Sequence, residues 1–269
     1  MAYRLLALDL DGTLFRHDKS IDARDVAAIH ELAASGVIVT IVTGRLLTGA
    51  VGAARTCSIE GAIACVEGSH LVELASRRTL LHHAMAPDLV ALLRATFAAN
   101  GLATFVFDAE TIHHDHRGAS YAAYVGTWSP ELRLVEEEVV WRAAPLATVA
   151  IGPPEPVAAA LADLARVPGL YTVSFDLHHH PGMRAILVRA EGPTKGTALT
   201  ELCRNAGLTL ADAVAVGDWV NDIPMFQVAG RSFAMGGAPD PVVAVATDVL
   251  ATHVGEGGGI AEAIRRAWG

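Results

Sequence analysis

The chain has 269 residues, 52 % of them apolar and 18 % charged, enough for one large or two modest domains with a sizeable core and too apolar for disorder. Its formal net charge is −9 and no run of Lys or Arg builds a basic face, which disfavours binding to a nucleic-acid backbone. No apolar stretch approaches the roughly 18 residues of a membrane-crossing helix, and Asp9 and Asp11 interrupt the apolar start too early for a secretory signal.

In chain order, Tyr3 to Leu10 is a short apolar run ending in acid and glycine, the pattern of a buried parallel strand. Asp22 can cap a helix that runs to about Ser35 and stops at Gly36. The β-branched segment Val37 to Thr43 predicts a second buried strand, and Gly44 is expected to open the next helix. Cys57, Cys65 and Cys203 are an odd count without metal spacing and fit buried thiols in a reducing compartment, with the cytoplasm as the expected location.

From about residue 83 to 188 the pattern changes. Helices are expected near Pro87 to Ala99 and Glu155 to Arg166, and strands near Ala103 to Asp108, Leu146 to Ile151, Leu170 to His178 and Arg184 to Val188. The earlier rhythm then returns, with a helix from Thr197 to Ala206, a strand from Ala213 to Val216, a helix over about Asp222 to Ala229 and a final helix to Trp268. Alternating strands and helices imply right-handed crossovers. The fold class is therefore α/β, with a Rossmann-like parallel-sheet core domain over 1–82 and 189–269 and an inserted α/β domain over 83–188.

Four segments at strand or helix ends carry the chemistry. Asp9 and Asp11 end the first strand, where open α/β sheets place their ligands. Two carboxylates so close repel one another unless a cation or proton intervenes, so the pair suggests a metal site. Thr43 and Gly44 end the second strand and offer a hydroxyl and free N–H groups to a phosphate, although Thr before Gly is also a common helix cap. Lys195, in EGPTKGT, lacks the Gly-Lys-Ser/Thr order of a P-loop and can serve as a point charge or simply be solvated. Asp218, Asn221 and Asp222, in GDWVND, put two more acids four apart, on one face if a helix starts there; capping by Asp218 is the ordinary alternative. Each ordinary explanation suffices alone, but their coincidence at four segments favours one shared metal and phosphate site.

These motifs resemble the haloacid dehalogenase-like hydrolase superfamily, and within it the Cof-like phosphatases with a large inserted α/β cap. DLDGTLF matches the first motif, Thr43-Gly44-Arg45 the second, Lys195-Gly196 the third and GDWVND the fourth, in the right order and with the long gap where the cap belongs. The resemblance implies that Asp9 is the nucleophile and that Asp11 protonates the leaving alcohol and then activates water. It implies that Thr43, Gly44 and Arg45 hold the phosphoryl group and that Lys195 steadies Asp9. Mg²⁺ would lie among Asp9, Asp11 through its carbonyl, and Asp218, with Asp222 and Asn221 behind them. The expected substrate is a small phosphorylated metabolite such as a sugar phosphate, with the 83–188 cap choosing it. A phosphomutase and a non-catalytic phosphate-binding regulator are the alternatives. Trp219, Glu67 and Gly237 depart from the family's usual residues, Glu67 standing where Asn is customary.

In the inserted domain, His82, His83, His113, His114, His116 and the run His178 to His180 read first as surface histidines. His178 and His180 would share a strand face and could bind a metal or a substrate anion. Arg117 and Arg184 are candidate anion contacts, and Glu136 to Glu138 is expected to be a solvated face.

Overall fold

The opening apolar run folds as the strand Leu5–Leu8, buried at all four positions. It lies inside a five-stranded sheet in the order Asp248–His253, Arg231–Gly236, Ala213–Gly217, Leu5–Leu8, Ile38–Ile41, with every pairing parallel. Chain order reverses on either side of Leu5–Leu8, so its carboxyl end is a topological switch point. Leu8 stands opposite both Ile41 and Val216, which brings Asp9 level with the ends of two other strands. Period-two alternation turns Leu5, Ala7, Ala213, Ala215 and Ala234 to one face, where Ala198, Leu199, Leu202, Met225 and Phe226 cover them.

The computed structural model describes residues 3–142, 144–177 and 180–269. It divides into two units: the chain up to Gly44 with Ala50–Leu81 and Pro193–Gly269, and Arg45–Gly49 with His82–Gly192. The first unit has an α/β parallel-sheet core. Its helix after Asp22 runs from Ala23 to Ala34, with the Asp22 side chain accepting from the Arg24 N–H. The segment from Ala62 to His82, where the sequence pattern assigns no strands, adds a three-stranded sheet in the order Ala62–Cys65, His70–Glu73, Arg78–His82.

Three local expectations need correction. No helix opens at Gly44. Thr43 still pairs along Ala64, its N–H donating to Ala64 O and its carbonyl accepting from Glu67 N, so the next helix waits until Leu47. A 3₁₀ turn, Val220–Asp222, precedes the helix Ile223–Val228, so Asp218 and Asp222 do not share a helical face. The helix at the third motif starts at Lys195 rather than Thr197, because Thr194 and Thr197 cap each other reciprocally.

The second unit is a six-stranded sheet in the order Leu170–Asp176, Arg184–Ala190, Ala147–Gly152, Ala103–Phe107, Ile112–His114, Leu132–Leu134. All its pairings are antiparallel except the last. Leu93 and Phe97 of the helix Pro87–Ala99, and Val157 and Leu164 of Pro154–Leu164, bury one face against Ala150, Ile186 and Val188. The strand Arg184–Ala190 passes the expected boundary at 188, so this unit extends to Gly192. Arg45–Gly49 also belongs to it, the Thr48 hydroxyl donating to Glu110 O at 2.9 Å and lying 2.8 Å from Ser129 Oγ. Among the described residues no helix is long and apolar enough to cross a membrane.

Candidate active site

Asp9 follows directly on Leu5–Leu8, and its N–H donates to Val216 O at 3.0 Å, which fixes its backbone. The Lys195 ammonium lies 2.7 Å from Asp9 Oδ1 and 2.7 Å from Asp222 Oδ1, and both Lys195 and Asp222 are fully buried. The other Asp222 oxygen accepts the N–H groups of Asp218 at 2.8 Å and Trp219 at 2.9 Å. Asp222 thus folds its own loop and anchors Lys195. The Thr13 hydroxyl donates to Asp218 Oδ1 at 2.7 Å. Gly12 makes this approach possible: its φ is +81°, and a Cβ there would overlap the Asp218 carboxylate.

Burial pushes the Asp9 carboxyl well above its ordinary range; Lys195 opposes the shift, while Asp222 and Asp218 add to it. Burial lifts Asp218 to about 6 against the Thr13 hydrogen bond. Burial also works against charge on Lys195, yet Asp222, Asp9 and Glu67 hold its ammonium above the usual lysine value. One oxygen from each of Asp9, Asp218 and Asp222 lies within 4.8 Å of the others. Three buried carboxylates around one ammonium leave excess negative charge, which an oxygen-seeking divalent cation could neutralise. Because both Asp222 oxygens are hydrogen-bonded, Asp9 and Asp218 are the better placed to hold such an ion.

The remaining expected site residues are placed individually. The Asp11 carboxylate is outside it, 45 % exposed and 2.8 Å from Lys19 Nζ. Thr43 is buried at the end of its strand, and Gly44 follows it. Arg45 falls in the other unit. Asn221 donates through Nδ2 to Glu67 Oε1 at 2.9 Å. Glu67, a mere departure from the family pattern in the sequence, therefore belongs with the site; the strands on either side of its turn were not legible, so nothing placed it there. Trp219 is 56 % exposed, and Gly237 has φ +79°.

In the second unit, the two candidate arginines already have acidic partners. Arg117 pairs with Asp115 and Glu137, and Arg184 Nε lies 3.0 Å from Asp176. His114 is buried with Nδ1 2.8 Å from Asp115 O, His82, His83 and His116 are exposed, and His180 meets Tyr121 and Tyr124 edge-on. The shared face expected of His178 and His180 falls partly outside the described residues, as does His179. Among the described residues no cap histidine joins a group of three possible metal ligands. Cys57, Cys65 and Cys203 are buried free thiols, with burial raising Cys65 to about 12.

Known proteins agree with this architecture. The chain is 28 % identical to a phosphoglycolate phosphatase of Halobacterium salinarum over 94 % of its length and 92 % of that protein's. It is 26 % identical to an HMP-PP phosphatase of Yersinia enterocolitica, covering 88 % of this chain and 85 % of that one. A solved haloacid dehalogenase-like hydrolase from Bacteroides thetaiotaomicron shares the fold with a TM-score of 0.83 at 23 % identity, covering 98 % of this chain and 99 % of its own. The profile of the haloacid dehalogenase-like hydrolases matches residues 6–264, from the first strand of the core to its last helix, and the chain belongs to that family.

Proposed function

We propose that this protein is a Mg²⁺-dependent phosphatase that hydrolyses a small phosphorylated metabolite through an aspartyl-phosphate on Asp9. The observation that carries this reading is the Asp9–Lys195–Asp222 arrangement at the switch point, with Asp218 alongside. The names of the relatives, a phosphoglycolate phosphatase and an HMP-PP phosphatase, point to the same reaction class.

Lys195 holds one Asp9 oxygen, leaving the other to attack phosphorus as the ester P–O bond breaks. Asp11 gives its proton to the leaving alkoxide; as a carboxylate it then takes a proton from the water that attacks the aspartyl-phosphate, releasing phosphate and restoring Asp9. Its half-exposed side chain must first leave Lys19, with which it forms a surface ion pair. Thr43 and the Gly44 N–H receive phosphoryl oxygens, with Arg45 beside them in sequence. Asp9, the Asp11 carbonyl and Asp218 would hold Mg²⁺, while Asp222 and Asn221 brace the loop. When bound, Mg²⁺ supplies positive charge for the phosphoryl oxygens and offsets the surplus of buried carboxylates.

The test is phosphate release from a panel of phosphorylated metabolites. Release with Mg²⁺, loss with EDTA and loss in Asp9→Asn are expected. Isomerised product without free phosphate would indicate a mutase. EDTA-sensitive binding of a phosphorylated ligand with no hydrolysis would indicate a regulator.

A further inference from the structure

Glu67 connects three segments of the core unit. It lies in the turn between the strands Ala62–Cys65 and His70–Glu73. Its N–H donates to Thr43 O at 3.0 Å, tying that turn to the end of Ile38–Ile41. Its side chain reaches past Gly44, where a Cβ would overlap Oε1, and accepts from Asn221 Nδ2 at 2.9 Å. The other amide atom, Asn221 Oδ1, is buried without a hydrogen-bond partner among the described residues, so Glu67 fixes that amide's orientation.

The backbone of this turn is unusual. Val66, Glu67 and Gly68 have φ of +48°, +56° and +94°, three successive left-handed residues. Glycine accepts that conformation readily, but for a β-branched residue such as Val66 it is a genuine outlier. Strain of this kind persists where the surroundings over-determine it, and it concentrates at functional sites. Here it aims a carboxylate between the Thr43–Gly44 turn and the GDWVND loop. A Cβ at position 44 would displace the Glu67 carboxylate from this path.

We propose that Glu67 is a positioning residue that locks Asn221 to the Thr43–Gly44 turn and so sets the spacing between the phosphoryl-binding turn and the acidic loop. The contacts stand on the structure; the catalytic consequence rests on the phosphatase reading above. Glutamine retains an acceptor for Asn221 and alanine does not, which separates position from charge.

The experiment compares full-length wild type, Glu67→Gln, Glu67→Ala, Asn221→Ala and the Glu67→Ala/Asn221→Ala double variant. Turnover of p-nitrophenyl phosphate with Mg²⁺ is read together with hydrogen exchange over 43–46 and 219–223. Glu67→Ala should lower kcat about 10- to 100-fold, as misplacement of a reacting group does, with a smaller change in KM. Glu67→Gln should recover most of this, and the double variant should be no worse than the poorer single one. Exchange should rise at both segments in Glu67→Ala, with protection in Leu5–Leu8 unchanged. Wild-type kinetics in Glu67→Ala, additive losses, or a Gln variant as poor as Ala would overturn the proposal. If the wild type hydrolyses nothing, the phosphatase reading fails on its own, and unchanged exchange at both segments in Glu67→Ala would then overturn the coupling separately.

Discussion

Asp218 lies buried beside Asp9 and Asp222, and burial raises its carboxyl to about 6. A carboxyl raised on folding favours the folded state fully below its unfolded value of about 3.9, and that contribution is lost as pH climbs through about 6. In metal-free protein the stability of wild type relative to Asp218→Asn should therefore fall by about 2 to 3 kcal/mol between pH 4 and 7. Denaturant titrations with EDTA would check this, and Mg²⁺ should return the lost stability to wild type alone. A flat difference would mean that Asp218 is not held in an unfavourable charge environment. Asp9, Asp218, Asp222 and Lys195, which the structure brings together, could be singled out in sequence because motifs at strand and helix ends are local. Two partnerships were not. The Lys195–Asp222 pair joins residues 27 apart, and the Asn221–Glu67 bond joins residues 154 apart across a strand that the pattern did not reveal.

At the scale of elements, long-range caps decide what propensity cannot. The final helix, Gly259–Trp268, has Gly258 at its N-cap and therefore no capping side chain of its own. Asp25, fully buried on the helix Ala23–Ala34, fills that role by accepting from Gly258 N at 2.7 Å and Ala261 N at 2.8 Å. Asp25→Ala would leave two N–H groups unsatisfied and should cost about 2 to 4 kcal/mol, measurable by chemical denaturation, whereas Asp25→Asn should recover part of it. A cost below about 0.5 kcal/mol would show that water replaces the carboxylate. Long periodic elements were readable: the helix Pro87–Ala99 falls where the apolar spacing puts it. Ile112–His114 and Leu132–Leu134 are three residues each, too short to show a period. The delayed helix after Gly44 was unreadable for another reason, since Thr43 is held by pairing with a strand 21 residues further on.

At the scale of the molecule, each unit has its own core, and damage should stay local. Phe97 is 1 % exposed among Leu93, Val157 and Leu164, so Phe97→Ala should cost about 3 to 5 kcal/mol. Hydrogen exchange should rise across 82–192 while Leu5–Leu8 and Ala213–Gly217 keep their protection; an equal rise in both would show one cooperative block. The parallel core was legible from alternating strand and helix patterns, but the assignment of Arg45–Gly49 to the second unit depends on contacts no local pattern encodes. Within the core unit, Lys195, Asp218 and Asp222 gather at Asp9, the residue proposed to receive the phosphoryl group. Rapid quench of the full-length protein with Mg²⁺ and a ³²P-labelled phosphomonoester, followed by peptide mapping, tests that most directly. Acid-stable, hydroxylamine-labile label is expected on the peptide containing Asp9, and none in Asp9→Asn. Full turnover with no labelled Asp9 at any quench time, or undiminished turnover in Asp9→Asn, would contradict it.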